Sequence, residues 1–386
     1  MGHNSFPALT GLRGFAALWV LTYHAWVEAG PAELTFSFLW LGPIEYHPLF
    51  GSGWAGVQIF FALSAFLLTL PFAEASVARE KLHFDKRAFL ARRLVRVFPA
   101  YYLQLLVLLV LGLWVDSLGH VTPSDTVYLL TMNFLPEPLG YGHPSDINGV
   151  WWTLPIELSF YLLVPLIAPL AVGRYKWQFF LGSLGFMFAW RFGVIANASP
   201  DTIALWFSQL PGSADSFAIG IITAYLFATY RIASDEKQAK IMRLSSMAIS
   251  LAGLIVIGLI YWLDSVYWLY RTEHITSYIW TVIFSAAVGL LIFFCAAKHR
   301  FLTAVFGNWV AEKFGVISYG IYLWHLPIAT WFGASTYAQT SSDYLFPHYL
   351  IIMIAGASAI ASVSWVLVES PSINFVRRYL TQKSGP

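Results

Sequence analysis

The chain has 386 residues, of which 58% are hydrophobic, 18% aromatic and 11% charged. Soluble domains carry roughly 25% charged residues, and a soluble fold of this size has too little interior to bury so much apolar surface. The net charge of +2 argues against nucleic acid as the main partner, and the single cysteine excludes an intrachain disulfide. The composition therefore predicts an all-α, polytopic membrane protein.

Ten apolar segments of about 20 residues, the length that crosses a bilayer, follow one another along the chain. They are residues 9–28, 49–72, 97–118, 154–173, 177–196, 209–230, 245–263, 276–297, 314–333 and 346–368. No repeat, low-complexity tract or additional soluble domain interrupts them, so residues 1–386 are predicted to form a single transmembrane domain. The longest connections, 29–48 and 119–153, are rich in Pro, Gly and aromatic residues, which favours ordered lids over linkers.

The basic residues divide unevenly between the two sides that these spans create. All but two of the 22 Lys and Arg residues fall on one side, and the exceptions are Arg191 and Arg271. Cytoplasmic connections carry such an excess in membrane proteins. Both termini are therefore predicted to be cytoplasmic, and the protein to be integral to a plasma membrane, here expected to be a bacterial inner membrane.

Ionisable side chains inside a span are costly, by about 3 kcal/mol on insertion scales, and are therefore candidates for function. The candidates from four different spans, predicted to lie at similar depth in the outer half, are His24, Glu157, Asp215 and His325. Each has a structural alternative, because a histidine can bridge helices and a carboxylate is favoured in the first turn of a helix. Their convergence favours catalysis, with His24 as general base and Glu157 or Asp215 orienting it.

Two sets of basic residues accompany these groups. Arg13 precedes His24 by eleven residues, which on a helix places both on one face about 16 Å apart. Small residues nearby, such as Gly14, allow close helix packing. The second set precedes the third span and consists of Arg87, Arg92, Arg93 and Arg96. It serves either as topogenic charge near lipid headgroups or as a cradle for a phosphorylated ligand, without any Gly-rich nucleotide motif.

Taken in order, several motifs resemble the acyltransferase 3 family of integral membrane acyltransferases over most of the chain. The motifs are Arg13-x10-His24, Gly53 to Ser64, Arg93-x-x-Arg96, Trp152 to Tyr161 with Glu157 inside it, Asp215-x-Phe217-x-x-Gly220, Ser318 to His325, and Glu369-x-Pro371. Ala65 departs from the family, which usually has glycine after the serine of the second span. The chain resembles members that lack a C-terminal esterase-like domain.

The resemblance implies transfer of an acyl group, most often acetyl, from acyl-CoA to a hydroxyl group. The implied acceptor is a cell-surface or lipid-linked glycan, with a small molecule such as a macrolide as the alternative. A CoA phosphate would bind Arg93 and Arg96, and Arg13 would hold donor phosphate or line the donor tunnel. The expected partners are acyl-CoA, the hydroxyl-bearing acceptor and membrane lipids, without nucleic acid or metal, and the oligomeric state stays open.

The thioester would then lie near His24, which would deprotonate the acceptor hydroxyl with support from Glu157. Asp215 or His325 would polarise or orient the acceptor or the thioester carbonyl. Candidate supporting hydroxyls belong to Ser64, Tyr319 and Tyr322. The strongest competing class is a transporter or flippase, because intramembrane carboxylates and histidines also relay protons, and the second is a ligand-binding receptor or scaffold. No inverted repeat or pair of broken helices is evident in favour of transport.

Overall fold

A computed structural model describes residues 6–30, 35–37, 43–112, 129–132, 148–335 and 345–383. Helices dominate these ranges, which confirms the all-α prediction. The helices are, in chain order, α1 (Pro7–Glu28), α2 (His47–Gly51), α3 (Gly56–Ala78), α4 (Lys86–Gly112), α5 (Thr153–Ala171), α6 (Lys176–Asn197), α7 (Pro200–Phe207), α8 (Ala214–Arg231), α9 (Asp235–Ser265), α10 (Thr276–Ala296), α11 (Arg300–Phe306), α12 (Trp309–Val316), α13 (Ser318–Gly333), α14 (Leu345–Ser364) and α15 (Ser370–Lys383).

Shorter elements join the helices. An antiparallel hairpin pairs β1 (Thr35–Ser37) with β2 (Pro43–Glu45). This hairpin lies in the connection 29–48, which is predicted to be an ordered lid, whereas most of the other such connection, 119–153, lies outside the described residues. Single turns of 3-10 or π helix occupy Gly53–Ala55, Gly149–Trp152, Leu210–Ser213, Tyr267–Leu269 and Trp365–Glu369.

In the described part of the chain, eight helical stretches are long and apolar enough to cross a membrane. They are His47–Ala78, Lys86–Leu111, Gly149–Ala171, Lys176–Asn197, Leu210–Arg231, Asp235–Ser265, Thr276–Ala296 and Leu345–Gln382. The other two predicted spans also correspond to helices. The first is α1, and the second, 314–333, is divided at Ile317 between α12 and the 16-residue α13.

Several helices extend beyond the predicted spans. Helix α4 begins at Lys86 and α9 at Asp235, whereas the predicted spans begin at residues 97 and 245. Hydropathy detects only the apolar part of such a helix, because Lys, Arg and Glu favour the helical conformation without adding to the apolar signal. The basic run before the third span is therefore itself helical, and its side chains take fixed directions around α4.

The chain forms two compact units. The first unit consists of Met1–Tyr23, Ala32–Leu82 and Leu163–Val316, and the second of His24–Pro31, His83–Leu162 and Ile317–Pro386. The first unit thus contains most of α1, then α2, α3 and α6 to α12. The second contains the end of α1, α4, the beginning of α5, and α13 to α15. Each unit is assembled from separated segments, so no change of composition along the chain marks the division.

Glycines allow helices of the first unit to approach closely. A Cβ atom on Gly14 would lie 2.6 Å from the backbone nitrogen of Gly315, and one on Gly220 would lie 2.3 Å from the Ala62 carbonyl oxygen. Neither crossing leaves room for a side chain, because both distances are shorter than van der Waals contact. The prediction that Gly14 permits close helix packing is confirmed.

Helix α13 is the most deeply buried helix around the candidate residues of the second unit. Ile321, Leu323 and His325 are fully buried, and a Cβ atom on Gly320 would lie 2.7 Å from the Cβ atom of Ala361 in α14. Pro327 lies inside this helix. Because proline has no backbone N–H, one carbonyl of the preceding turn loses its helical partner.

Candidate active site

His24 and His325 lie side by side in the second unit. His325 Nε2 is 3.1 Å from His24 Nδ1, and the centroids of the two rings are 4.8 Å apart. His325 is fully buried on α13, whereas His24 is half-buried near the end of α1. The two residues are 301 positions apart in the sequence. The fold therefore joins two of the four ionisable side chains that the sequence singles out.

The hydrogen bonds of His325 determine which ring nitrogens carry protons. His325 Nδ1 is 3.2 Å from the Ile321 carbonyl oxygen, which can only accept, so Nδ1 is the protonated nitrogen. Nε2 of the neutral ring is then an acceptor, and His24 Nδ1 donates to it. His24 Nε2 is left with a lone pair. A proton taken up there makes the bond to His325 charge-assisted, which stabilises the imidazolium.

Glu157, which is predicted to orient His24, makes its hydrogen bond within α5. It accepts from the hydroxyl of Tyr161, one turn further along the helix. It also interacts electrostatically with Arg93, Tyr319 and Tyr322. His24 Nδ1 contacts His325 Nε2, and the role of Glu157 in orienting His24 stays a prediction. Glu157 is the centre of a second polar group, the Glu157 cluster, which consists of these five residues.

Arg93 is the member of the basic run that turns toward this cluster. Its guanidinium lies 5.7 Å from the ring centroid of Phe89, and it interacts electrostatically with Tyr161 and Glu157. Its Nε is buried and has no hydrogen-bond partner among the described residues. The other members of the run are exposed, namely Arg87, Arg92 and Arg96. Arg93 is therefore a half-buried cation whose buried Nε is a donor that no described residue uses, while Arg96 is exposed.

Side chains of α13 connect the Glu157 cluster with the histidine pair. Tyr319 Oη donates to the Val97 carbonyl at 3.1 Å. Tyr322 Oη donates to the Val150 carbonyl at 3.0 Å and accepts from the Thr153 hydroxyl at 3.0 Å. Tyr319, Tyr322 and His325 follow at intervals of three residues and span about 9 Å of the helix. Tyr322, a member of the Glu157 cluster, also has its ring centroid 5.8 Å from that of His325.

Three other predicted site residues belong to the first unit: Arg13, Ser64 and Asp215. Arg13 and Ser64 are half-buried on α1 and α3. Asp215 is fully buried. One of its oxygens accepts from the Ser216 backbone N–H at 2.8 Å, and the other lies 3.8 Å from Arg191 Nη2. Asp215 is therefore half of an internal ion pair, and its predicted catalytic role stays a prediction.

Arg191 forms a hydrogen-bonding centre in the first unit that the sequence analysis did not predict. It donates to the Gly212 carbonyl from Nε at 3.2 Å and from Nη2 at 2.6 Å. Its Nη1 donates to the Ser277 carbonyl at 2.9 Å and to the Thr281 hydroxyl at 2.8 Å. One guanidinium thus joins α6, the turn before α8, and α10. Its position inside the predicted span 177–196 is the sequence signal that could have identified it.

In the described part of the first unit, three side chains also bring possible metal-binding atoms close together. Glu45, His47 and Asp264 each offer one ligand atom, and these atoms lie within 4.8 Å of one another. His47 Nε2 is 3.6 Å from Asp264 Oδ2, so two of the three already form an ion pair when the histidine is protonated. The two carboxylates outweigh the single histidine in charge even when it is protonated, and the metal-free reaction expected from the sequence stays a prediction.

Comparisons with known proteins find matches over nearly the whole chain. The family model described as an acyltransferase domain, the acyltransferase 3 model, matches residues 6–369. The chain is 26% identical over 386 residues to YrhL of Bacillus subtilis strain 168, which is named as a peptidoglycan O-acetyltransferase, with 96% of this chain and 55% of the relative covered. It is 24% identical over 383 residues to the O-acetyltransferase OatA of Staphylococcus aureus strain NCTC 8325, with 95% and 57% covered.

A viral protein, ORF330 of Acidianus two-tailed virus, is named as an acetyltransferase and is 28% identical over 328 residues, with 84% of each chain covered. The chain thus spans little more than half the length of the two bacterial relatives. No solved structure matches the chain significantly.

Proposed function

The chain belongs to the acyltransferase 3 family of integral membrane acyltransferases, and from this premise we propose that it transfers an acetyl group from cytoplasmic acetyl-CoA to a glycan hydroxyl. The observation that carries the proposal is the 3.1 Å contact between His24 Nδ1 and His325 Nε2, which leaves a lone pair on His24 Nε2. The name of the Bacillus relative supports a cell-surface glycan as acceptor. The excess of basic residues on one side supports cytoplasmic termini and donor entry from the cytosol.

In the proposed reaction His24 Nε2 takes the proton from the acceptor hydroxyl as its oxygen attacks the thioester carbonyl carbon. The new C–O bond gives a tetrahedral intermediate, and the imidazolium is stabilised through its Nδ1–H bond to His325. Collapse of the intermediate breaks the C–S bond. The CoA thiolate leaves and recovers the proton from His24, which returns the histidine pair to its starting state.

The donor is proposed to extend from Arg93 to His24 along α13. Arg93 supplies a half-buried guanidinium whose buried Nε is a donor that no described residue uses, and arginine binds phosphate through parallel hydrogen bonds. Tyr319 and Tyr322 precede His325 on this helix by six and three residues, and we propose that they line the path of the donor. The acyl-CoA phosphates would therefore bind at the Arg93 end, and the thioester would reach the histidine pair.

The function is tested with purified protein in detergent, labelled acetyl-CoA and a glycan fragment as acceptor. We expect release of free CoA thiol together with transfer of the label to an ester on the glycan. A parallel reaction with a small hydroxyl compound such as a macrolide distinguishes the acceptor classes. Folded protein that releases no CoA from any acyl-CoA in a chain-length series, yet moves a substrate across vesicles, would establish a transporter instead.

Arg93→Ala is expected to raise the KM for acetyl-CoA about 10- to 100-fold, because one charge-assisted contact contributes roughly 1.5–3 kcal/mol. The KM for S-acetyl-pantetheine, which has no phosphate, should stay unchanged. Steady-state kinetics with both donors measures the difference.

The matched control is Arg92→Ala, which removes the same charge from an exposed position of the same helix. It should leave both KM values within about twofold, as expected of an exposed charge. If Arg92→Ala and Arg93→Ala raise the KM for acetyl-CoA equally, the basic run acts only through its overall charge. If Arg93→Ala affects both donors equally, Arg93 does not bind a phosphate.

A further inference from the structure

The catalytic helix α13 contains a backbone acceptor that its own helix cannot satisfy. Pro327 lies inside α13, and its missing N–H is the one that would bond to the carbonyl four residues earlier, that of Leu323. Leu323 is fully buried. A buried carbonyl without a partner is destabilising, so another donor is required. This carbonyl lies two positions before His325.

Two side-chain amides from outside the helix supply that donor. Gln104 Nε2 of α4 donates to the Leu323 carbonyl at 2.5 Å, and Asn148 Nδ2 donates to the same oxygen at 3.0 Å. Gln104 is itself held by Trp151, whose Nε1 donates to Gln104 Oε1 at 2.8 Å. Gln104, Asn148 and Trp151 are essentially buried, with 0%, 1% and 0% of their surfaces exposed. We call these three residues the amide clamp.

We propose that Gln104 and Asn148 are positioning residues that fix the direction of His325 by binding the carbonyl released by Pro327. The inference rests on the proposed function, because it gives these residues a purpose only if the histidine pair is catalytic. His325 can accept from His24 only when its ring keeps its present direction, and both ring nitrogens are already engaged. A shift of the turn that precedes Pro327 would lengthen the contact between the two histidines.

Contacts around Leu323 explain why the position of this turn of α13 determines the direction of the His325 ring. Residues 148–153 lie against α13 at two successive positions, through Asn148 on Leu323 and through Val150 and Thr153 on Tyr322. The titratable groups next to His325 include His24 on α1 and Tyr322 on its own helix. The clamp therefore sets the alignment of the turn that carries both Tyr322 and His325.

Gln104→Leu keeps the size of the side chain but removes its donor and acceptor. We expect kcat to fall about 10- to 100-fold, the effect of a small misplacement of a catalytic group, with the KM for acetyl-CoA within about twofold of the wild type. The pH dependence of kcat should also change, because the bond between His24 and His325 sets the basicity of His24 Nε2. Asn148→Ala should show the same pattern to a smaller extent, since the Gln104 bond remains.

The matched control is Tyr102→Phe, which removes another side-chain-to-backbone bond of α4, directed at the Leu130 carbonyl. It should leave kcat and its pH profile unchanged. A clamp that only holds the fold together would lower the fraction of active protein, so kcat would drop while the pH profile kept its shape. That result, or unchanged kcat in folded Gln104→Leu, would overturn the proposal. Failure of the chemistry itself is seen separately, as absence of turnover in the wild type.

Pro327→Ala tests the cause directly and also covers the case in which Gln104→Leu folds poorly. The restored backbone N–H can bind the Leu323 carbonyl, so the amides become partly redundant. We expect Gln104→Leu to lower the thermal stability less in the Pro327→Ala background than in the wild type. Equal losses in both backgrounds would contradict the assignment of the clamp to the carbonyl that proline leaves unpaired.

Discussion

Replacing His24 with alanine is expected to lower kcat for acetyl transfer by about 10²- to 10⁴-fold, the usual contribution of a positioned general base. The wild-type rate should rise with pH through an imidazole-like inflection, because a protonated Nε2 cannot accept the proton of the acceptor hydroxyl. The residual activity of His24→Ala should lack that inflection. Steady-state rates of CoA release across the pH range of imidazole titration measure both effects.

The control for this variant is His83→Ala, which removes an exposed histidine of the same unit and should retain full activity. His325→Ala should also lower kcat, and the double variant should be little worse than His24→Ala alone, since residues that act as one unit are not additive. Full turnover by folded His24→Ala would remove His24 from the mechanism. Additive losses would mean that the two histidines act independently.

Arg191→Leu is expected to destabilise the first unit strongly, by about 3–5 kcal/mol, because it leaves the buried carboxylate of Asp215 without its partner. The variant also deprives the Gly212 and Ser277 carbonyls of their donors. We expect little folded protein in the membrane and a much lower melting temperature in detergent. Fluorescence-detected gel filtration after heating measures both.

Arg231→Leu is the matched control, since it breaks an ion pair of the same unit in which Arg231 and Glu74 remain 41% and 38% exposed. Exposed pairs contribute about 0–1 kcal/mol, so stability should hardly change. Adding Asp215→Asn to Arg191→Leu should recover part of the lost stability by removing the unpaired charge. If Asp215→Asn alone keeps the melting temperature but lowers kcat, the predicted catalytic role of Asp215 gains support over the ion-pair role.

The helical architecture could be predicted because it depends on local composition. Each apolar run reports the length of chain that prefers the bilayer, and helices are found at all ten predicted spans. The boundaries were less predictable. The basic residues of α4 and the break at Ile317 do not alter hydropathy enough to mark the true ends. The assembly of two units from separated segments had no signal in the order of the chain.

The site was predictable as a set of residue types and less so as a set of contacts. The rule that ionisable groups inside spans are functional candidates selected His24, His325 and Glu157, and all three belong to the second unit. It did not predict that His325 would occupy the place next to His24. The depth estimate also grouped Asp215 with these residues, although its described partners are Arg191 and Ser216.

The sequence by itself therefore determined that this protein lies in a lipid bilayer and that it is helical. It also determined which ionisable residues lie inside spans and are candidates for function. These properties follow from the free energy of transferring each side chain from water to the bilayer, which depends mainly on the residue type. The tertiary structure alone decided which of those residues meet. His24 with His325 and Gln104 with the Leu323 carbonyl are pairs separated by 301 and 219 positions. Such contacts depend on helix crossings and on a carbonyl freed by proline, and packing of distant segments sets both.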